Sequence, residues 1–337
     1  MGTLAVLTIV FFLLNMLLGS VLIPVKSIFA ILAGKEPEIP AWSAIVLHTR
    51  LPMAVTAALT GAALGICGLM MQTLFRNPLA GPSVLGVSSG ASLGVAVVMM
   101  FISLPGGTLV AVSQVTGNIS VVAAAFAGAF SVLLLIALLA ARFSSNTLIL
   151  IVGIMIAYAV NALVGILQFY SLKEDLQAFV IWGLGSFGNI SLAQLRIFVP
   201  LVLIGLALSS LMIKPLNILL LGEHYAKNLG LNTRSVQILV ILLTGFLIAL
   251  ITAFCGPIAF LGLAVPHLAR ILFRSSDHRI VFPATILTGA LLALICNIIA
   301  RLPGFDSALP INAVTSLIGA PVVIWLILKR NSFKSLV

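Results

Sequence analysis

Residues Arg50 to Gly94 read R-L-P-M-A-V-T-A-A-L-T-G-A-A-L-G-I-C-G-L-M-M-Q-T-L-F-R-N-P-L-A-G-P-S-V-L-G-V-S-S-G-A-S-L-G. Two apolar segments of membrane length are joined here by one short polar corner. The first, Leu51 to Phe75, carries no charge and is long enough to cross about 30 Å of hydrocarbon. Ala54, Ala58, Gly61, Gly65, Gly68 and Gln72 recur along it in steps of three and four, so one helix face is nearly bare of side chain. A lipid-facing helix has no use for such a stripe. Helices that associate inside a membrane do, because small residues let backbones approach. The segment is expected to be a central helix, with Gly61, Gly65, Gly68 and Gln72 serving packing or a pathway. Gly86, Gly90 and Gly94 repeat the device in the second segment. In the corner, Arg76, Asn77 and Pro78 begin a helix stop, since Pro78 and Pro82 each lack a donor and restrict the residue before them.

Composition sets the class. Of 337 residues, 62% are hydrophobic and 7% charged, which excludes a soluble domain and defines an all-α integral membrane protein. The formal charge of +10 comes from 17 Lys and Arg against 7 Asp and Glu. These bases are scattered through short interhelical stretches, so the positive-inside bias accounts for them and nucleic acid does not. Cys67, Cys255 and Cys296 all fall within apolar segments and have no metal or disulfide spacing. The N-terminus has neither a basic leader nor a small-residue cleavage site, so a retained first helix is expected.

Apolar runs and their breakers predict about ten transmembrane helices, near 3–25, 52–75, 83–103, 119–141, 147–170, 196–213, 235–254, 257–273, 280–300 and 311–328. Pro and Gly at 105–107, 215, 256–257 and 303–304 mark several turns. No stretch between spans is long enough for a soluble domain, so 1–337 reads as one transmembrane domain. An even count puts both termini on one side. With that side cytoplasmic, eleven basic residues face inward (Arg76, Lys227 and Arg279 among them) and six face outward (Arg50, Lys173 and Arg301 among them). That asymmetry favours cytoplasmic termini, with Glu36 outside.

Two loops stand out. Between Lys214 and Arg234, Gly222 and Gly230 bracket two turns of helix that start at Glu223, with Lys227 four residues on. This acid-first spacing suits the helix dipole. The segment mixes Leu219, Leu220 and Leu221 with polar residues and exceeds a tight connection, which points to a cytoplasmic partner surface. On the other side, 171–195 carries Lys173, Glu174, Asp175 and Trp182, the pattern of a short interfacial helix.

Two motifs mislead. Gly183 to Gly188 spells the dinucleotide fingerprint, yet it follows a membrane helix where the motif needs a strand before it. Gly86-Val87-Ser88-Ser89-Gly90 spells a nucleophile elbow, yet glycine packing explains it better than a strained strand–helix turn. There is no Walker A pattern, no catalytic constellation and no metal-ligand spacing. The predicted spans hold no ionisable residue at mid-membrane, only polar ones such as Asn15, Gln72, Asn161, Gln168 and Asn297. Proton- or sodium-coupled transporters keep such a residue despite its cost. The energy source is therefore expected outside this chain.

Arg50-Leu51-Pro52, the glycine helix with Gln72, the Arg76-to-Pro82 corner and Leu85-Gly86-Val87-Ser88-Ser89-Gly90-Ala91 resemble the permeases of ABC importers for iron chelates, haem and vitamin B12. Trp182-Gly183, Leu221-Gly222-Glu223, Gly256-Pro257-Ile258-Ala259, Pro266-His267, Asp277-His278-Arg279 and Ile318-Gly319-Ala320-Pro321 extend the likeness over essentially the whole chain. The resemblance implies a type II ABC importer permease of ten helices in the bacterial cytoplasmic (inner) membrane, usually a homodimer around one pathway. Two ABC ATPase subunits holding ATP–Mg would dock on Gly222, Glu223, Ala226, Lys227, Leu229 and Gly230. A substrate-binding protein would dock outside on Arg50 and Arg301. The chain itself would bind no cofactor and carry no catalytic residue. Alternating access would move an iron–siderophore chelate, with haem or vitamin B12 as alternatives. A passive channel without ATP coupling fits less well, because it gives no purpose to 214–234. Met53 and Asn297 depart from the family's usual arginine and aspartate.

Overall fold

The computed structural model describes residues 1–19, 21, 23–35, 37–101, 114–143, 145–301 and 308–334; these include helices and turns but no strand. In order, α1 is Gly2–Leu17, α2 Val25–Leu32 and α3 Pro40–Ile45, and a π turn over Val46–Arg50 leads into α4, Leu51–Phe75. A 3₁₀ turn, Pro82–Leu85, precedes α5, Val87–Ala96, which runs on into a π turn over Val97–Phe101. Then come α6 (Gln114–Arg142), α7 (Asn146–Tyr170), α8 (Lys173–Gly183) and α9 (Leu192–Ser210). The short α10 (Ile213–Leu220) and α11 (Glu223–Asn228) precede α12 (Thr233–Cys255), α13 (Leu261–Phe273), α14 (His278–Ala300) and α15 (Ile311–Lys334).

Each expected apolar segment holds a helix, and among the described residues six are long and apolar enough to span a membrane. The helices α1, α5, α13 and α15 supply shorter apolar stretches. The helix expected over 3–25 stops at Leu17, because its last carbonyls are taken by Arg50 from another part of the chain. Arg50 Nη1 donates to the Met16 and Leu17 carbonyls at 2.7 and 2.8 Å, and Nη2 donates to that of Val21. What reads as an outer loop before α4 instead holds α2 and α3. The helix expected at 257 begins only at Leu261, after Phe260 takes a left-handed φ of 65°. The 171–195 loop does contain its expected helix, α8. Glu36 and the turns at 105–107 and 303–304 lie outside the described residues.

The chain forms two compact units: Met1–Ile66 with Ser186–Leu203 and Ile258–Val337, and Cys67–Gly185 with Ile204–Pro257. Of the four divisions, two fall inside helices, α4 and α9, and two in the connections that follow α8 and α12. In the first unit α4 crosses α14 with glycine on glycine: a Cβ at Gly61 would strike the Gly289 carbonyl, and one at Gly289 the Gly61 carbonyl. A methyl at Gly65 would stand 2.8 Å from Val265 Cγ1. In the second unit α5 and α6 repeat the arrangement, with Gly90 against Gly128 and Gly94 against the Ala124 carbonyl. Backbones in such contact gain dispersion along their whole length, which lipid chains cannot match.

Burial separates central helices from peripheral ones. In the Pro40–Leu74 span 78% of the most apolar stretch is buried, against 22% in Asn146–Tyr170. The small-residue stripe is not the only covered face of α4, since Ile66, Leu69, Met70 and Met71 are also buried. Within the first unit α1 is fastened to α14 by amides: Asn297 Nδ2 donates to Asn15 Oδ1 at 2.7 Å, and Asn15 Nδ2 to the Leu294 carbonyl at 3.1 Å. Both side chains are buried. An ionised aspartate at 297 could not donate this bond and would bury a charge, so Asn297 is matched to Asn15.

The glycine crossing yields a controlled test. Gly61→Ala should cost about 1–3 kcal/mol, since two helices must separate to admit one methyl. Gly165→Ala, with nothing within 4 Å of its Cβ position, should be neutral or slightly stabilising. Thermal denaturation of the detergent-solubilised proteins compares them, and equal melting temperatures would contradict the assigned crossing.

Candidate functional site

The segment after α9 builds a surface from two short helices. Pro215 lies in the first turn of α10, where its missing donor costs nothing. The Leu219 carbonyl accepts the Gly222 amide at 3.2 Å and closes the turn. Gly222 has φ 118°, a conformation that side-chain-bearing residues rarely adopt, and it starts α11 in a new direction. Ion pairing of Glu223 with Lys227 at 2.9 Å braces this helix. Gly230, at φ 81°, ends it, with the Leu231 amide donating to the Ala226 carbonyl at 3.0 Å. The two-turn helix between glycines was legible in the sequence; α10 was not.

Polarity across this segment is inverted relative to a free surface. Leu221, Tyr225 and Leu229 are 61%, 68% and 63% exposed, and Leu220 is exposed beside them. Ala226 is 0% exposed. It anchors α11 to the protein, so of the expected contact residues it has no outward face, whereas Leu229, Glu223 and Lys227 do. Tyr225 and Leu221 belong to the exposed row and were missed as contact residues, although the run Leu219-Leu220-Leu221 hinted at the latter. An apolar row on a connection between spans marks a contact surface.

Behind α11 lies a cleft of about 290 Å³ lined by the end of α4 and the starts of α7 and α12. Arg76, Lys227 and Arg234 surround it, and Glu223 is the carboxylate in its lining. Arg76 follows the last residue of α4 with φ 47°, and its Nη2 donates to the Leu219 carbonyl at 3.2 Å. Asn77 turns the chain beyond it, its Oδ1 accepting from the Leu79 amide at 2.9 Å, before Pro78 prevents a return to helix. Gln72 is buried one turn earlier in α4, as Gly61 and Gly65 are. Gly68 lies on the same helix between them and Gln72.

The other pair of expected site residues separates. Arg50 is 1% exposed, enclosed by the carbonyls at the end of α1. The position expected at an outer docking surface is therefore an internal helix cap, and it has no outward face. Arg301, just past α14, is half-buried, and its Nη1 donates to Met53 Sδ at 2.9 Å. Burial lowers its pKa from the ordinary value, yet an arginine keeps its charge. An arginine at 53 would press a second guanidinium against Arg301. Met53 removes that repulsion, and its methyl lies where a Cβ on Gly188 would go. Among the described residues no group of three or more His, Cys, Asp or Glu could hold a metal ion.

Apolar spans packed through glycine, with an exposed apolar row on one connection, define a multi-pass membrane protein. Residues 7–329 match the FecCD transport family, and the chain belongs to that family, the permease subunits of ABC importers of the iron-chelate and vitamin B12 type. It is similar to the vitamin B12 import system permease protein BtuC of Salmonella typhimurium (strain LT2) and of Salmonella typhi, 35% identical to each over 320 residues, which is 92% of this chain and 93% of theirs. A solved structure described as an inward-facing conformation of a metal-chelate type ABC transporter superposes with a TM-score of 0.83 at 29% identity, covering 97% of this chain and 98% of that one. The expected type II importer permease fold is the fold observed.

The cap on α1 gives the second prediction. Arg50→Ala strands three carbonyls and should cost about 3 kcal/mol, with folded protein lost on size-exclusion chromatography. Arg301→Ala should remain folded. Equal yields of monodisperse protein from both variants would show that Arg50 is not a structural cap.

Proposed function

We propose that the chain is the membrane-spanning subunit of an ATP-driven importer that moves a metal chelate of the iron–siderophore class inward by alternating access. The observation that carries this reading is the exposed row Leu221, Tyr225 and Leu229 on α11 and the turns that flank it. It offers apolar contact to a partner, and the sequence contains no Walker A pattern. Two ATPase subunits would close on α11 of two permease copies. The charge asymmetry between connections supports a cytoplasmic α11 and cytoplasmic termini. Outside, an acidic binding protein would meet Arg301, whose charge speeds encounter and orients docking.

The experiment is reconstitution with a candidate ATPase and binding protein. Leu229→Asp and Tyr225→Asp alter exposed side chains, so the permease should stay folded while ATPase co-purification falls at least tenfold. Undiminished co-purification in both variants would refute α11 as the docking surface. Orientation is read separately, because the native cysteines are buried. An impermeant thiol reagent should fail to label Asn228→Cys in intact cells and should label it in inverted vesicles.

Vitamin B12 is the second reading, favoured by the similarity to BtuC proteins. Uptake of radioactive iron–siderophore and of radioactive cobalamin into proteoliposomes separates the two. Transport of cobalamin alone would move the substrate to the corrinoid class and leave the importer mechanism standing.

A further inference from the structure

The corner after α4 has a feature that helix termination does not explain. A helix that ends in a left-handed residue usually ends in glycine, because a Cβ there costs of order 1 kcal/mol. Here the residue is Arg76, at φ 47°. Arg274 follows α13 at the same φ, so the angle alone marks nothing, and it is the bonding of the Arg76 side chain that sets this corner apart. Its Nη2 donates to the Leu219 carbonyl at 3.2 Å, and a Cβ placed on Gly222 would lie 3.8 Å from the same nitrogen. The guanidinium thus sits in the turn joining α10 to α11. It meets the negative end of one helix and lies beside Gly222, the residue that precedes the next. The Leu219 carbonyl is shared, since it also accepts the Gly222 amide that closes the turn.

A second tie leaves the adjacent residue of α4. Asn146 Nδ2, at the start of α7, donates to the Leu74 carbonyl at 3.1 Å, and Gln237 Nε2, in α12, donates to Asn146 Oδ1 at 2.6 Å. The helices on either side of α11 are therefore both bonded back to the end of α4, α10 through Arg76 and α12 through Asn146. Between them lies the 290 Å³ cleft. Apolar contact cannot cross the hollow itself, so beside the packing under Ala226 these polar ties give motion of α11 a route to α4.

We propose that Arg76 is the positioning residue that couples α11 to α4, so that a push on α11 rotates or draws the end of the central helix. This rests on the reading of α11 as the ATPase contact, and the test keeps the two apart. Arg76→Gly removes the guanidinium while suiting the left-handed backbone, so folding should be preserved. Arg76→Lys keeps one donor within reach of Leu219. A nitroxide on Asn228→Cys reports motion of α11 in the permease alone, without any ATPase. The native thiols do not compete, because all three are buried. Arg76→Gly should sharpen the nitroxide spectrum to that of a mobile label, and Arg76→Lys should restore much of the immobilisation. In the complete importer, Arg76→Gly should bind the ATPase as the unaltered chain does, while substrate moved per ATP hydrolysed falls about tenfold, with partial rescue by Arg76→Lys. An unchanged spectrum, or an unchanged transport ratio, overturns the proposal. If the spectrum responds and the ATPase ignores α11, the joint is real and the docking reading falls.

Discussion

Every helix ends with four carbonyls that have no partner within the helix, and in or near hydrocarbon water cannot serve them all. Much of this protein is arranged around that constraint. Arg50 closes α1, Asn146 closes α4 and Arg76 closes α10. In each case the donor comes from a different helix or from the turn beyond one. Satisfying a terminus and fastening two helices are then the same bond. This is why so apolar a chain still spends arginines and asparagines at its helix ends.

A helix in each apolar run, the burial of α4 and the small helix between Gly222 and Gly230 were legible in the sequence. Periodicity and glycine placement are local signals with local causes. What escaped was long-range. Arg50 presents the same letter whether it faces lipid headgroups, a partner or the end of a helix more than thirty residues earlier; only the carbonyls of Met16 and Leu17 decide. The helix α10 was hidden by Pro215, which reads as a breaker but sits harmlessly in a first turn. Ala226 looked like part of a contact surface because helix phase within six residues is set by what the helix lies on, and that is not written in the segment itself.

The two departures from the family pattern find local partners. Asn297 donates to Asn15, and Met53 accepts from Arg301. Neither leaves an unmatched group behind. Family membership fixes the machine, while these pairs individualise this chain near the ends of α1 and α14 without touching the segment between α9 and α12.

Glycine packing also has a consequence for biogenesis. Of the six long spans, the one containing α4 has the lowest mean hydropathy, 1.8 against 2.8 for α12. Small residues contribute little partition free energy, so the helix that ends most deeply enclosed enters the bilayer with the narrowest margin. Lengthening its side chains would ease insertion and forbid assembly. The helix is poised between translocon and fold: apolar enough to be released into lipid, too bare to remain there once neighbouring helices arrive.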